Sequence, residues 1–109
     1  MAVTFTVEIT EPAEQDLENA LEYIADHSTY EDAQKALRKI LDAIYKLEKM
    51  PEARGLVQEV VHLRKNKYRQ IVAAKHRIMF TIEEVTATVF VVRIIHVKRD
   101  TDFVIDALS

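Results

Sequence analysis

The 109-residue chain contains no cysteine, one glycine and two prolines. The absence of cysteine excludes disulfide bonds and thiolate chemistry, and it is compatible with a reducing cytoplasm. No apolar run approaches the roughly 20 residues needed to cross a bilayer. The opening MAVTFTVEIT has neither the basic segment nor the long apolar segment of a signal peptide. We therefore expect a cytoplasmic protein with no membrane partner.

Several kinds of chemical site are also missing. The sequence has no glycine-rich phosphate loop, no paired-carboxylate site and no Ser-His-Asp set. His27, His62 and His76 show no metal-ligand spacing, and we interpret them as structural. We expect no cofactor and no metal. The scarcity of glycine and proline favours long regular elements with short turns.

Charge is distributed unevenly along the chain, whose formal net charge is −3. Residues 1–60 contain six Lys or Arg and thirteen Asp or Glu, a balance of −7, whereas residues 61–109 contain nine and five, a balance of +4. This asymmetry indicates either a surface for a polyanion or acidic partner, or two solvated faces that neutralise each other.

The first half predicts one strand and two helices. Residues 3–9 alternate in polarity as a strand does. Apolar residues then recur at three- and four-residue spacing up to about Asp26, which predicts a helix. Ser28 followed by Glu31 fits a capping box for a second helix, which Pro51 ends. The apolar seam of this second helix consists of Ala33, Leu37, Ile40, Ile44 and Leu47.

The second half is rich in β-branched residues and predicts strands at 57–63, 68–74, 76–82 and 87–95, with a basic turn at 64–67. The last strand is the most apolar and is predicted to be central. Residues 102–108 form either a short helix or an extended tail. Strict alternation places Ile78, Phe80 and Ile82 on one face of their strand and Arg77, Met79 and Thr81 on the other. In the last strand it places Phe90, Val92 and Ile94 opposite Val89, Val91, Arg93 and Ile95.

These elements predict a single domain over residues 1–109 of the α+β class. An N-terminal strand is followed by an α-helical hairpin and an antiparallel β-meander, in two layers with both helices on one face of the sheet. The other face is then open, and its surface is mixed apolar and basic.

The order of these elements, the strand pair YRQI…KHRIMFTIEE and the closing VVRIIHVKRD resemble the RelE/ParE toxin superfamily of bacterial type II toxin–antitoxin modules, also called plasmid stabilisation proteins. The resemblance extends from the first strand to Asp100. It implies a toxin held inactive by a cognate antitoxin protein, through which oligomers mainly form. The antitoxin is expected over the open sheet face and the groove beside the hairpin, with acidic residues against basic ones.

The superfamily divides by target. ParE-like members inhibit DNA gyrase by protein–protein contact, and this chain resembles them better in its long hairpin and its H-x-x-R-D ending. The residues expected to contact partners are Arg69, Arg77, Arg93, Lys98 and Arg99.

RelE-like members are ribosome-dependent endoribonucleases that cleave mRNA, and they are the main alternative, so enzymatic activity stays open. Cleavage needs proton-transfer groups and cations around one phosphate. Arg77, Arg99 and His96 would supply them if the chain were a nuclease. RelE-like members often carry a tyrosine where this chain has Phe103, and the acidic net charge also disfavours ribosome binding. A third alternative is an inert relative that keeps only the antitoxin-binding fold.

Two ion pairs within the chain compete with partner binding as explanations for these arginines. Arg77 has Glu83 and Glu84 nearby in sequence, and Arg99 is followed by Asp100. Either pairing would give the arginine a structural role.

Overall fold

The computed structural model describes residues 3–63 and 67–109. A four-stranded mixed sheet with the order β1-β4-β3-β2 forms its centre, and β1 runs parallel to β4 while the other pairs are antiparallel. The elements in chain order are β1 Thr6–Ile9, α1 Glu11–His27, α2 Tyr30–Lys46, a 3₁₀ turn Pro51–Ala53, α3 Gln58–Val61, β2 Arg69–Ala73, β3 His76–Glu83, β4 Thr88–His96 and α4 Thr101–Ala107. The predicted α+β class, the helical hairpin and the following meander are confirmed.

Three further predictions of secondary structure concern residues 57–63, 64–67 and 102–108. The strand predicted at 57–63 is wrong, because residues Gln58–Val61 form a single turn of helix. The predicted basic turn at 64–67 lies outside the described residues except for Lys67. Residues 101–107 are helical, which decides between the helix and the extended tail. No helix within the two described ranges is long and apolar enough to cross a bilayer.

Helix α2 begins one residue later than the sequence indicates. Thr29, not Ser28, is the N-cap, and its Oγ1 accepts a hydrogen bond of 3.0 Å from the backbone N–H of Asp32. Ser28 instead ends α1, where its backbone N–H donates to the carbonyl of Ile24. The two caps are adjacent, so only Ser28 and Thr29 separate the two helices.

The main core lies between the helical hairpin and one face of the sheet. The predicted seam of α2 is buried, except that Leu37 is only partly buried. Each fully buried large aliphatic or aromatic side chain contributes about 1.5–3 kcal/mol relative to an exposed one. The buried residues of this core are Phe5, Ala13, Leu17, Ile40, Ala43, Ile44, Leu47, Ile78, Phe80, Val89, Val91 and Ile94.

A β-bulge in β4 changes which residues face the hairpin. Met79 of β3 pairs with Arg93, but Phe80 pairs with Val91, so Val92 has no partner. An extra residue reverses the alternation of a strand from that point onward. The faces predicted for β3 are confirmed at Ile78, Phe80 and Met79, whereas the prediction for β4 is wrong beyond the bulge, where Ile94 joins Val89 and Val91. The β4 residues packed in the main core are Val89, Val91 and Ile94.

The second face of the sheet is covered, so the expected open face is a further correction. Helices α3 and α4 lie on it and close a smaller core. Helix α4 starts where Asp100 Oδ1 accepts a 2.9 Å hydrogen bond from the N–H of Phe103, and its residues Val104 and Leu108, four apart, point to this core. The buried residues are Val57, Val60, Met79, Ile95, Val104 and Leu108.

Asp16 of α1 seals the part of β4 that β1 does not cover. Strand β1 pairs with β4 only as far as Val91. Beyond it, Asp16 Oδ2 accepts hydrogen bonds from the Ile94 N–H at 2.9 Å and from Arg93 Nε at 2.7 Å, and Oδ1 accepts from Arg93 Nη2 at 2.9 Å. One carboxylate therefore replaces a strand partner and fixes α1 beside β4.

Glu59 performs a similar role on the other face, where it attaches α3 to β3. Its two carboxylate oxygens accept hydrogen bonds of 2.7 Å each from Arg77 Nη1 and Nη2, and Arg77 Nε donates to Gln70 Oε1 at 2.8 Å. The hydrogen bonds from Arg77 lower the pKa of the Glu59 carboxyl below its usual 4.5, against a smaller opposing effect of burial.

We predict that Asp16→Ala destabilises the fold by about 1–3 kcal/mol, because it leaves the Ile94 N–H and the Arg93 guanidinium without their partner. Urea denaturation followed by circular dichroism measures this difference. Asp42→Ala, on the exposed side of α2, is the matched control and should change stability by less than about 0.5 kcal/mol. Equal effects of the two substitutions would contradict the sealing role of Asp16.

We also predict that the ion pair of Glu59 makes stability depend on pH. Because the pKa of Glu59 is lower in the folded state, its stabilisation is fully present above about pH 4.5 and is lost as the pH falls through the folded pKa. Glu59→Gln should therefore be less stable than the parent at pH 7, and the difference should shrink on acidification towards pH 3. Urea titrations at both pH values measure it, and a constant difference would refute the linkage.

Candidate functional site

A groove of about 940 Å³ lies between α1 and the far end of the sheet. One wall is the second half of α1. The other is built from the β2–β3 turn, the end of β4 and the loop before α4. Ala20, Ile24 and Ile94 form its apolar part. The groove exists because Asp16 holds α1 alongside β4 where no strand follows β1.

Three cations from two loops form one wall, and we call Lys75, Lys98 and Arg99 the basic rim. Lys75 belongs to a two-residue turn in which both Ala74 and Lys75 have positive φ, 49° and 62°. This conformation costs an ordinary L-residue about 1–2 kcal/mol. The N–H of Val97 donates a 2.9 Å hydrogen bond to the carbonyl of Lys75, which attaches this turn to the loop carrying Lys98 and Arg99.

Two histidines lie behind the basic rim, with their rings perpendicular and 5.1 Å apart. His76 is buried, and its Nδ1 donates to the carbonyl of Ala74 at 2.8 Å, since a carbonyl only accepts. His96 Nδ1 accepts from the backbone N–H of Lys98 at 3.1 Å, so the proton of neutral His96 is on Nε2.

The surroundings of His96 favour its neutral form. Burial lowers its pKa most, and the nearby His76, Lys98, Lys75 and Arg99 lower it further. At neutral pH the imidazole is therefore uncharged, and the positive charge of the groove belongs to the three residues of the basic rim.

Aromatic rings stand at both sides of the groove. Tyr23 of α1 is 62% exposed and stacks on His27, with ring centroids 3.9 Å apart. On the opposite side, the Arg99 guanidinium lies 4.4 Å above the ring of Phe103. This contact keeps the Arg99 side chain over the loop before α4 and leaves its donors accessible.

Arg77 and Arg93, which were expected to be exposed, are largely enclosed. Their side chains are 12% and 26% exposed and are held by Glu59 and Asp16, respectively. The partner predicted for Arg77 among Glu83 and Glu84 is wrong, because Glu59 from α3 takes that place.

The other predicted partner-binding residues divide into two groups. Arg69 donates from Nη1 to the carbonyl of Arg54 at 2.6 Å and so supports the loop before α3. Lys98 and Arg99 are exposed at the groove. The carboxylate of Asp100 caps α4 in place of the predicted pair with Arg99. Whether any of these residues contacts a partner stays a prediction.

The residues predicted for a nuclease site do not share one place. His96 and Arg99 line the groove, whereas Arg77 does not, because its guanidinium is bound to Glu59 on the α3 side of the sheet. Among the described residues, no three His, Cys, Asp or Glu side chains converge as a metal site would require.

Sequence reasoning did not find the contributions of Lys75 and Tyr23 to the groove. Lys75 is 21 positions before His96, and the two meet only through the register of β3 with β4, in which His76 pairs with His96. Tyr23 gave no signal either, since an exposed aromatic residue on a helix is common.

Comparison with known proteins gives both a family and a fold. The family model described as the ParE toxin of the type II toxin–antitoxin system, parDE, matches residues 7–101. A solved structure described as the chromosomal ParDE toxin–antitoxin system from P. aeruginosa has a chain that superposes with a TM-score of 0.70 at 15% identity, over 85% of this chain and 96% of that one.

A chain of the toxin–antitoxin complex RelBE2 from Mycobacterium tuberculosis superposes with a TM-score of 0.58 at 18% identity, over 86% of this chain and 92% of that one. At such identities the superpositions show the fold alone. No curated protein sequence gives a significant match. Since the family model covers most of the chain, the protein belongs to the ParE toxin family of type II toxin–antitoxin systems.

Proposed function

We propose that this toxin inhibits DNA gyrase by protein–protein contact and is neutralised by a cognate antitoxin. The observation that carries this choice is the separation of Arg77 from His96 and Arg99. Inhibition of an enzyme by binding needs a complementary surface and no set of proton-transfer groups. Gyrase acts in the cytoplasm, where we place the protein.

A nuclease would need more than the groove supplies. Attack of a 2′-hydroxyl on the adjacent phosphate requires a proton acceptor, a proton donor and cations around one phosphate. His96 is the titratable imidazole beside the basic rim, but its Nδ1 is already bonded to the Lys98 N–H. Phe103, at the position where a tyrosine would be expected, has no hydroxyl group.

The antitoxin is proposed to lie in the groove. Ala20, Ile24 and Ile94 offer an apolar strip, and Lys98 and Arg99 lie along one side of it. This combination fits an amphipathic segment whose apolar side chains face the strip and whose carboxylates face the two cations. The second face of the sheet is filled by α3 and α4, so we do not place the antitoxin there.

Two assays on one purified sample separate gyrase inhibition from RNA cleavage. We predict loss of gyrase supercoiling activity on addition of the protein and no cleavage of mRNA on programmed ribosomes. Ribosomal cleavage that Arg99→Ala abolishes, with supercoiling unaffected, would favour the endoribonuclease instead. No effect in either assay, together with no growth arrest on expression, would favour an inert relative.

A charge substitution tests the position of the antitoxin. We predict that Lys98→Gln/Arg99→Gln weakens antitoxin binding about tenfold or more and reduces its dependence on salt, because two exposed cations are removed from the contact. Isothermal titration calorimetry at two ionic strengths measures both effects.

The matched control is Lys39→Gln/Lys46→Gln, which removes the same charge from exposed positions of α2 outside the groove. If both double variants lose the same affinity, net charge alone determines binding and the groove is not the antitoxin site. Unfolding temperatures of the two variants should stay within a few degrees of the parent.

A further inference from the structure

The basic rim forms no internal ion pair in the part of the chain that the structure describes. Within residues 3–63 and 67–109, neither Lys75, Lys98 nor Arg99 forms an ion pair with a carboxylate. Asp16, which lines the groove, and Asp100, which follows Arg99, have other partners. Asp16 is bound to Arg93 and the Ile94 N–H, and Asp100 accepts from the Phe103 N–H. In a chain whose net charge is −3, three cations without an ion-pair partner therefore line one groove.

A backbone hydrogen bond fixes the two loops of the basic rim next to each other, so the proximity of the cations does not depend on side-chain rotamers alone. The bond from Val97 N–H to the Lys75 carbonyl connects the two loops that carry them. The strained turn at Ala74 and Lys75 is kept although no glycine occupies it. Positive φ at both central residues matches the twist of a two-residue hairpin, so the β2–β3 turn fixes the backbone position of Lys75.

The side chains of the basic rim offer only hydrogen-bond donors, and His96 adds one more. Lys75, Lys98 and Arg99 have only donors, and because His96 Nδ1 is used by the Lys98 N–H, the remaining ring nitrogen of His96 is also a donor. A phosphate group offers oxygens that only accept when it is fully ionised and up to two negative charges, and the planar guanidinium of arginine matches it. One carboxylate would leave most of this charge uncompensated.

We propose that the basic rim, with His96, is a binding site for a phosphate-bearing ligand of at least two negative charges. The site does not depend on gyrase inhibition, and it is present in the free toxin. A free nucleotide and the backbone of a nucleic acid both supply this chemistry. If the antitoxin lies in the same groove, its carboxylates and the phosphate ligand exclude each other.

The imidazole of His96 is a reporter inside the site. The neighbouring cations disfavour its charged form, so a bound phosphate that offsets them should raise its pKa. We expect NMR titration of the full chain to show that inorganic pyrophosphate raises the pKa of His96 by about half a pH unit or more, and that this rise saturates. Sodium chloride of equal ionic strength should change the pKa of His96 much less.

Two variants show where pyrophosphate acts. Lys75→Gln/Lys98→Gln should abolish its saturable effect on His96, whereas Lys39→Gln/Lys46→Gln should retain it. Equal rises in pyrophosphate and sodium chloride would overturn the proposal in favour of simple screening, and this comparison needs only the parent protein. A saturable effect that survives in Lys75→Gln/Lys98→Gln would overturn it as well.

Different probes distinguish the source of the phosphate. Tighter saturation by ATP than by a short DNA oligonucleotide would support the site with a small nucleotide as ligand, and the reverse order would support it with a nucleic-acid backbone. A rise of the His96 pKa with a poly-glutamate peptide but none with pyrophosphate, ATP or DNA would overturn the proposal and identify an acidic-peptide site.

Discussion

The carboxylate of Asp16 makes the hydrogen bonds on which the arrangement of this molecule depends. Strand β1 is short, so beyond Val91 one edge of β4 has no neighbouring strand, while the other edge stays paired with β3. A free strand edge either pairs with another chain or must be covered. Here a helix covers it, and a side chain supplies the acceptor that a backbone carbonyl would have supplied. This contact holds α1 alongside β4, where α1 forms one wall of the groove.

The arginines in and after the sheet strands have different roles, although each lies beside apolar β-branched residues in the sequence. Arg93 and Arg77 are each bound by a carboxylate that attaches a helix to the sheet, Asp16 of α1 at the free edge of β4 and Glu59 of α3 on the second face. Arg99, just beyond the last strand, has an aromatic ring under it and no carboxylate among the described residues. A cation with a partner inside the chain contributes to folding, whereas one without such a partner is available to another molecule. The surface suited to binding is consequently smaller than the distribution of basic residues suggests.

Much of the fold follows from periodicity in the sequence. The seam from Ala33 to Leu47 identifies α2, and alternation in residues 68–82 identifies two strands because few other structures bury such patterns. Residues 57–63 are too short and too apolar to distinguish a strand from a helical turn. Burial of Val57 and Val60 under α4 decides for the turn. The faces of β4 were beyond reach, because a bulge leaves no local signature among consecutive apolar residues.

The groove could be predicted from the sequence only in part, because some of its residues are neighbours in the chain and others are far apart. His96, Lys98 and Arg99 are neighbours in the sequence, so the pattern alone brings them together. The partners of Arg77 and Arg93 lie 18 and 77 residues away, and no local pattern reveals them.

The unpaired Val92 has a consequence for how relatives should be aligned. A chain lacking this one residue would alternate regularly along its last strand and would still present its imidazole to the groove. A one-residue gap at this point therefore removes the bulge and keeps His96 opposite His76.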